Sequence, residues 1–177
     1  MIKFINDDLY RQSSNISLKS WIKHFVLTPG FNYMVWFRLA SRFPNPLMKY
    51  ILYRRMLRYG IEIYPGTNIG RGFYIGHWGG IIINPKVKIG ENCNISQGVT
   101  IGISNSGKNP GVPTIGCRVY IGPGAKLFGN IVIGDDVAIG ANAVVNSDVP
   151  SGVSVAGIPA RILGSTSSYN YIHNISK

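Results

Sequence analysis

From Ile63 to Val145 an aliphatic residue recurs every six positions, with glycine and polar residues between. The positions are Ile63, Ile69, Ile75, Ile81, Ile89, Ile95, Ile101, Ile115, Ile121, Leu127, Ile133, Ile139 and Val145. Two intervals are longer. Ile81 to Ile89 spans eight residues, which places a two-residue insertion there, and Ile101 to Ile115 spans fourteen, an insertion of eight. A six-residue period predicts a parallel β-helix, in which one aliphatic per short strand points into a prism. Three strands form a coil of roughly 18 residues, and stacked coils align their aliphatics in columns. The second insertion, within residues 103–114, is rich in Gly, Asn, Ser and Pro and reads as a loop leaving the prism. In an otherwise uniform scaffold such an excursion is a candidate ligand contact.

Ahead of the repeats the period changes. Leu18, Trp21, Ile22, Phe25 and Val26 lie at helical spacing behind a candidate N-cap at Ser17, and Pro29-Gly30 ends that pattern. Further helices are predicted from about Tyr33 to Arg42 and from about Leu47 to Tyr59, giving three helices, with residues 1–16 polar and irregular. Their apolar surface exceeds what three short helices bury alone, so packing on the prism, a neighbouring subunit or a membrane is expected. The chain thus divides into an N-terminal helical segment (1–60), a β-helix domain (61–164, with loop 103–114) and a C-terminal tail (165–177) that reads as loosely held.

Charge sharpens this division. Of the net +11, residues 1–60 contribute +8 and residues 61–164 only +2. The first segment also holds 12 of the 20 aromatics. Lys49, Arg54, Arg55 and Arg58 on one helix, near Trp21, Phe25, Trp36 and Phe37, suggest peripheral contact with an anionic membrane face. A solvated basic face over packed aromatics is the plainer alternative. No nucleic-acid motif accompanies the charge, so nucleic acid is not an expected partner. Two cysteines, Cys93 and Cys117, imply no disulfide framework, and the first residues lack a signal peptide's apolar core. No stretch reaches 18 apolar residues. A cytoplasmic protein is expected.

Candidate chemistry centres on His77, the only histidine among the repeats, in Ile75-Gly76-His77-Trp78-Gly79-Gly80. Glu62 lies fifteen residues earlier, close to one coil away. A carboxylate near imidazole orients the ring and raises its basicity. Such a base could deprotonate a hydroxyl attacking a thioester.

Residues 61–164 resemble the hexapeptide acyltransferases, most closely their serine acetyltransferase-like branch. The resemblance rests on Glu62–Gly72, Ile75–Ile81, Ser96–Gly102, Val119–Lys126, Gly129–Gly134, Ala138–Val145 and Ala156–Arg161. It implies a left-handed β-helix, a homotrimer and acetyl-CoA as donor. His77 falls at the catalytic position and Glu62 at its carboxylate partner, where the family carries Asp. Two departures stand out. The family has Asp just before the catalytic histidine, and here there is Gly76. It has an Arg-His pair before the loop's proline, and here Gly111-Val112 precede Pro113. Without these charges a zwitterionic acceptor lacks partners, which favours a neutral sugar hydroxyl, as in the O-acetyltransferases of polysaccharide biosynthesis that the N-terminal segment resembles. Trp78 is then a candidate for stacking on a sugar ring.

For coenzyme A, the resemblance places the pantetheine arm along Gly102, Gly122, Pro123 and Ala141. Lys108, Lys126 and Arg161 are candidate phosphate partners. No metal is expected. Hydration by a γ-type carbonic anhydrase site would need three histidines, and the prism has one. The expected function is acetyl-CoA-dependent O-acetylation of a cell-surface sugar or its precursor. The alternatives are serine O-acetylation and a non-catalytic membrane- or protein-binding scaffold.

Overall fold

The computed structural model describes residues 1–175; of the expected tail, Ser176 and Lys177 lie outside the described residues. Four helices open the chain: α1 (Ile2–Ser13), α2 (Leu18–Leu27), α3 (Pro29–Arg42) and α4 (Pro46–Tyr59). Ser17 caps α2, its hydroxyl accepting the Ser20 N–H at 3.2 Å. Pro29 begins the next helix rather than only ending the last, because a proline in the first turn forfeits no intrahelical bond. Asn45 caps α4, and Gly60 closes it in the left-handed conformation. The helix α1 corrects the expectation of an irregular start. Its inner face carries Ile5 and Leu9 but also Asp7, Asp8 and Arg11, all buried.

Fifteen short strands follow: β1 (Ile61–Ile63), β2 (Asn68–Ile69), β3 (Tyr74–Ile75), β4 (Ile81–Ile83), β5 (Lys88–Ile89), β6 (Asn94–Ile95), β7 (Thr100–Gly102), β8 (Thr114–Ile115), β9 (Tyr120–Ile121), β10 (Lys126–Phe128), β11 (Val132–Ile133), β12 (Ala138–Ile139), β13 (Val144–Val145), β14 (Ser154–Gly157) and β15 (Ala160–Gly164). They form three sheets, the faces of a left-handed β-helical prism. The first holds β1-β4-β7-β10-β13, the second β2-β5-β8-β11 and the third β3-β6-β9-β12-β14, with β15 returning antiparallel on its edge.

The register yields three aliphatic columns. They are Ile63-Ile83-Ile101-Leu127-Val145, Ile69-Ile89-Ile115-Ile133, and Ile75-Ile95-Ile121-Ile139-Val155, all buried. Ile63 pairs with Ile83, not Ile81. The two inserted residues therefore lie between Ile75 and Ile83, in the corner that carries His77, and not after Ile81. Cys93 fills the interior, where burial pushes its thiol up to about 12 and leaves it unreactive at neutral pH.

The corners before the first four strands of the first sheet form a column of glycines, Gly60, Gly80, Gly98 and Gly124, all with positive φ, and Asn142 continues it before β13. A Cβ on Gly80 or Gly98 would stand 3.4 Å from the Cα of the next glycine, so this edge is bare backbone.

The helices seal the lower end of the prism. Tyr33, Met34, Phe37 and Leu52 join its core beneath Phe73. The first coil has unpaired backbone groups, and buried side chains satisfy several. Arg38 donates to the carbonyls of Ile69 and Gly70, both at 2.6 Å. Asp8 pairs with Arg38 through two hydrogen bonds, at 3.0 and 3.2 Å, and accepts the Phe73 N–H at 2.8 Å. The Tyr33 hydroxyl donates to the Ile63 carbonyl and accepts its N–H. Burial raises the Asp8 carboxyl above its usual range, an effect that outweighs Arg38. Trp21, Phe25, Trp36 and Phe37, expected near a membrane, pack among the helices instead.

The tail, expected to be loose, lies against the third sheet. Ser168 donates its N–H to the Asp136 carbonyl and its hydroxyl to the Arg118 carbonyl. Tyr171 stacks on Tyr120 with ring centroids 4.2 Å apart, and Asn94 donates to the Tyr171 carbonyl at 2.7 Å.

Arg38→Met should leave Asp8 buried without its partner and two carbonyls unsatisfied. We expect a loss of about 3–5 kcal/mol in urea unfolding. Asp8→Asn combined with Arg38→Met should cost less than the sum of the two single changes.

Candidate active site

His77 projects from the corner between β3 and β4, beside the glycine column. The inserted Trp78-Gly79 stretch extends this corner, and both His77 and Trp78 are exposed. Glu62 lies on the outer face of β1, opposite Ile82. His77 and Glu62 thus belong to the two ends of one coil and flank the same edge, because the first coil is twenty residues long rather than eighteen. They are not hydrogen-bonded within one chain. The Glu62 carboxylate accepts the Tyr64 hydroxyl at 3.0 Å, and that bond raises the Tyr64 phenol above its ordinary value. Among the described residues His77 makes no side-chain hydrogen bond, and its ring is exposed.

The remaining candidates separate into groups. Lys108 and Arg161 come together in a cleft of about 470 Å3, with Ser104, Asn109, Asn146 and Ser147 among its walls. Loop 103–114 shapes it as a small hairpin: Ser104 and Gly111 exchange backbone hydrogen bonds at 2.9 and 2.8 Å, and the Asn130 N–H donates to the Asn109 carbonyl. The loop is legible in the sequence as an excursion from the period. The contributions of Asn146 and Ser147, just past the last repeat, are not, since nothing in their residue types distinguishes them from an ordinary turn.

Lys126 lies apart from this cleft. Its ammonium is held on the first sheet, donating to the Gly98 carbonyl and to the Thr100 hydroxyl. Gly102 ends β7 and pairs with Phe128, which lines the cleft. A Cβ on Gly102 would meet only the Thr100 methyl, at 3.9 Å, so packing does not demand a glycine. Gly122 differs: a Cβ would stand 2.7 Å from the Ile139 carbonyl, so coil stacking alone accounts for it. Pro123 is half-buried and its carbonyl accepts the Asn142 N–H, and Ala141 is exposed at a corner.

The cleft offers two cations with several hydroxyl and amide groups, the donors a phosphorylated, amide-bearing ligand such as coenzyme A would use. It sits where strands of the first sheet end, whereas His77 sits where they begin. One prism therefore does not bring base and cleft together.

Comparison with known proteins places this arrangement. Residues 113–147 match the family Bacterial transferase hexapeptide (six repeats). The serine acetyltransferase of Helicobacter pylori strain J99 is 41% identical over 142 residues, covering 78% of this chain and 83% of that protein. The chain belongs to the hexapeptide-repeat acyltransferases, in their serine acetyltransferase branch. It is an acyltransferase, and acetyl-CoA is the donor this enzyme class uses. Among solved structures, Neisseria gonorrhoeae serine acetyltransferase in complex with serine superposes with a TM-score of 0.77 at 31% identity, over 92% of this chain and 69% of that one. Brucella abortus serine acetyltransferase in complex with coenzyme A gives 0.78 at 29% identity, over 94% and 68%.

Proposed function

We propose that this acyltransferase moves the acetyl group of acetyl-CoA to the hydroxyl of L-serine. The observation that carries this reading is the likeness to serine acetyltransferases along both segments of the chain, helices and prism together. The relatives do not support the sugar acceptor expected from the sequence, which gives way to serine as the leading reading.

In this mechanism His77 Nε2 or Nδ1 takes the hydroxyl proton as the oxygen attacks the thioester carbonyl. Glu62 supports the imidazolium electrostatically, and the proton returns to the departing thiolate. Lys108 and Arg161 hold phosphates of coenzyme A in the cleft, and Gly102 admits the pantetheine arm. Because base and cleft lie on opposite edges of one sheet, the working site forms between two prisms of a trimer, the cleft of one facing the His77 edge of the next. An acetyl-CoA-dependent reaction of this kind belongs in the cytoplasm.

One observation favours a second reading, a neutral hydroxyl such as that of a sugar. Of the three positions where the resembling enzymes carry charge, Val112 packs against the prism core, and a side chain at Gly76 or Gly111 would be crowded. The Tyr74 ring covers Gly76, with Cε1 2.8 Å from where a Cβ would stand. Gly111 has φ +137 and would place a Cβ 2.9 Å from Asn130. If serine binds, other groups hold its ammonium and carboxylate, and Trp78 is then a wall rather than a sugar platform.

With acetyl-CoA and L-serine, thiol release should saturate with serine at ordinary enzymatic rates. Release with sugars or nucleotide sugars but not serine would establish the second reading. His77→Ala should lower kcat by about 10²–10⁴ with acetyl-CoA binding retained, and Glu62→Gln should slow the reaction less. Near-normal turnover by His77→Ala would refute the mechanism. Lys108→Ala and Arg161→Ala should each raise KM for acetyl-CoA about three- to tenfold with kcat little changed, an effect that shrinks with added salt.

A further inference from the structure

Helix α2 has two apolar faces, and the fold uses only one. Trp21 and Phe25 turn inward: their rings stack at 4.9 Å, and Phe31 and Trp36 close around them. On the other side Leu18 is 77% exposed, Ile22 53%, Val26 69% and Leu27 70%. These four residues and Lys19 and Lys23 line one shallow groove along the helix. A surface helix ordinarily presents polar residues outward. This one presents aliphatics a turn apart, bordered by two lysines.

The surrounding charge indicates the occupant. From Leu9 to Ile61 there is no acidic residue, and nine cations. Arg11 and Arg38 are buried, with Arg38 paired to Asp8 and Arg11 donating to the Asn92 carbonyl. Lys19, Lys23, Arg42, Lys49, Arg54 and Arg58 remain exposed. We propose that α2 is a membrane-docking helix: Leu18, Ile22, Val26 and Leu27 enter an anionic lipid leaflet while Lys19 and Lys23 meet its headgroups.

Basic residues bordering an apolar stripe are the features that hold an interfacial helix. A second copy of this chain fits less well. A two-fold contact would set Lys19 and Lys23 against their own counterparts, and α2 carries no acidic residue to pair them. The aromatics, which the sequence suggests as membrane anchors, are committed to the interior. The aliphatic stripe takes that role. This inference does not depend on the acceptor of the acetyl group.

The test is flotation of the full chain with vesicles of phosphatidylcholine alone or with about one-third phosphatidylglycerol. Binding should appear with the anionic vesicles at low salt and fall at least about tenfold near half-molar salt. Ile22→Ser with Val26→Ser, and separately Lys19→Gln with Lys23→Gln, should each reduce it about fivefold or more while thiol release from acetyl-CoA is unchanged. These positions are exposed, so folding should survive, and unchanged thermal unfolding checks that. Three results would overturn the proposal: no binding at low salt, binding indifferent to the α2 changes, or an Ile22→Ser/Val26→Ser variant that instead dissociates a larger assembly in sedimentation. The last would assign the stripe to a second copy.

Discussion

The structure depends on how the open edge of its first coil is closed. A parallel β-helix pairs every strand with the one above and the one below, except at its ends, where backbone groups are left without partners. Here the Arg38 guanidinium directs two of its donors to the carbonyls of Ile69 and Gly70 and two to Asp8, which in turn receives the Phe73 N–H. A buried ion pair alone is weak evidence of stabilisation, since desolvation opposes the attraction. This one also satisfies main-chain groups that would otherwise be orphaned in a dry interface. That requirement explains why a charged pair is placed under an aliphatic stack, and why α1 and α3 must both dock before the stack has a floor.

The site follows from the same geometry. Columns of glycine leave one edge of the prism as bare backbone, and the corner bearing His77 is the one place on that edge where the coil is lengthened. The extra residues lengthen the corner that exposes His77 without disturbing the columns inside. Scaffold and chemistry are thereby separated: the interior needs only aliphatics in register, and corners are free to vary.

Much of this is legible in the chain. The period predicts the prism, its columns and the loop at 103–114, and the spacing of apolar residues locates three of the helices. Misreadings arise where residue type conceals position. Ile81, Ile82 and Ile83 are identical, so counting does not tell which one continues the column, and it places the insertion on the wrong side of them. The helix α1 buries Asp7, Asp8 and Arg11, and a pattern that treats charge as outward-facing reads it as irregular. The tail looks loose because its anchors are Ser168, Tyr171 and the single buried aliphatic Ile172, which leave no periodic trace. Among the cofactor candidates, Lys108 and Arg161 converge while Lys126 does not, a distinction set by which corner each residue occupies. The acceptor is least legible, because Gly76 and Gly111 show what is missing and not what replaces it.

The closed lower end also bears on how the molecule is made. The ribosome delivers α1 to α4 before the first coil, so the floor exists when β1, β2 and β3 arrive. Each later coil then adds to a template already in place, as in other stacked repeats. The upper end closes last, when β15 turns back against β14 and the tail crosses the third sheet to where Asn174 meets the carbonyl of Arg11, about 3.5 Å away. Unpaired strand edges are where nascent β-proteins stick to one another. A stack grown upward from a finished floor exposes such an edge at its growing end, and the segment that follows β15 runs back to α1.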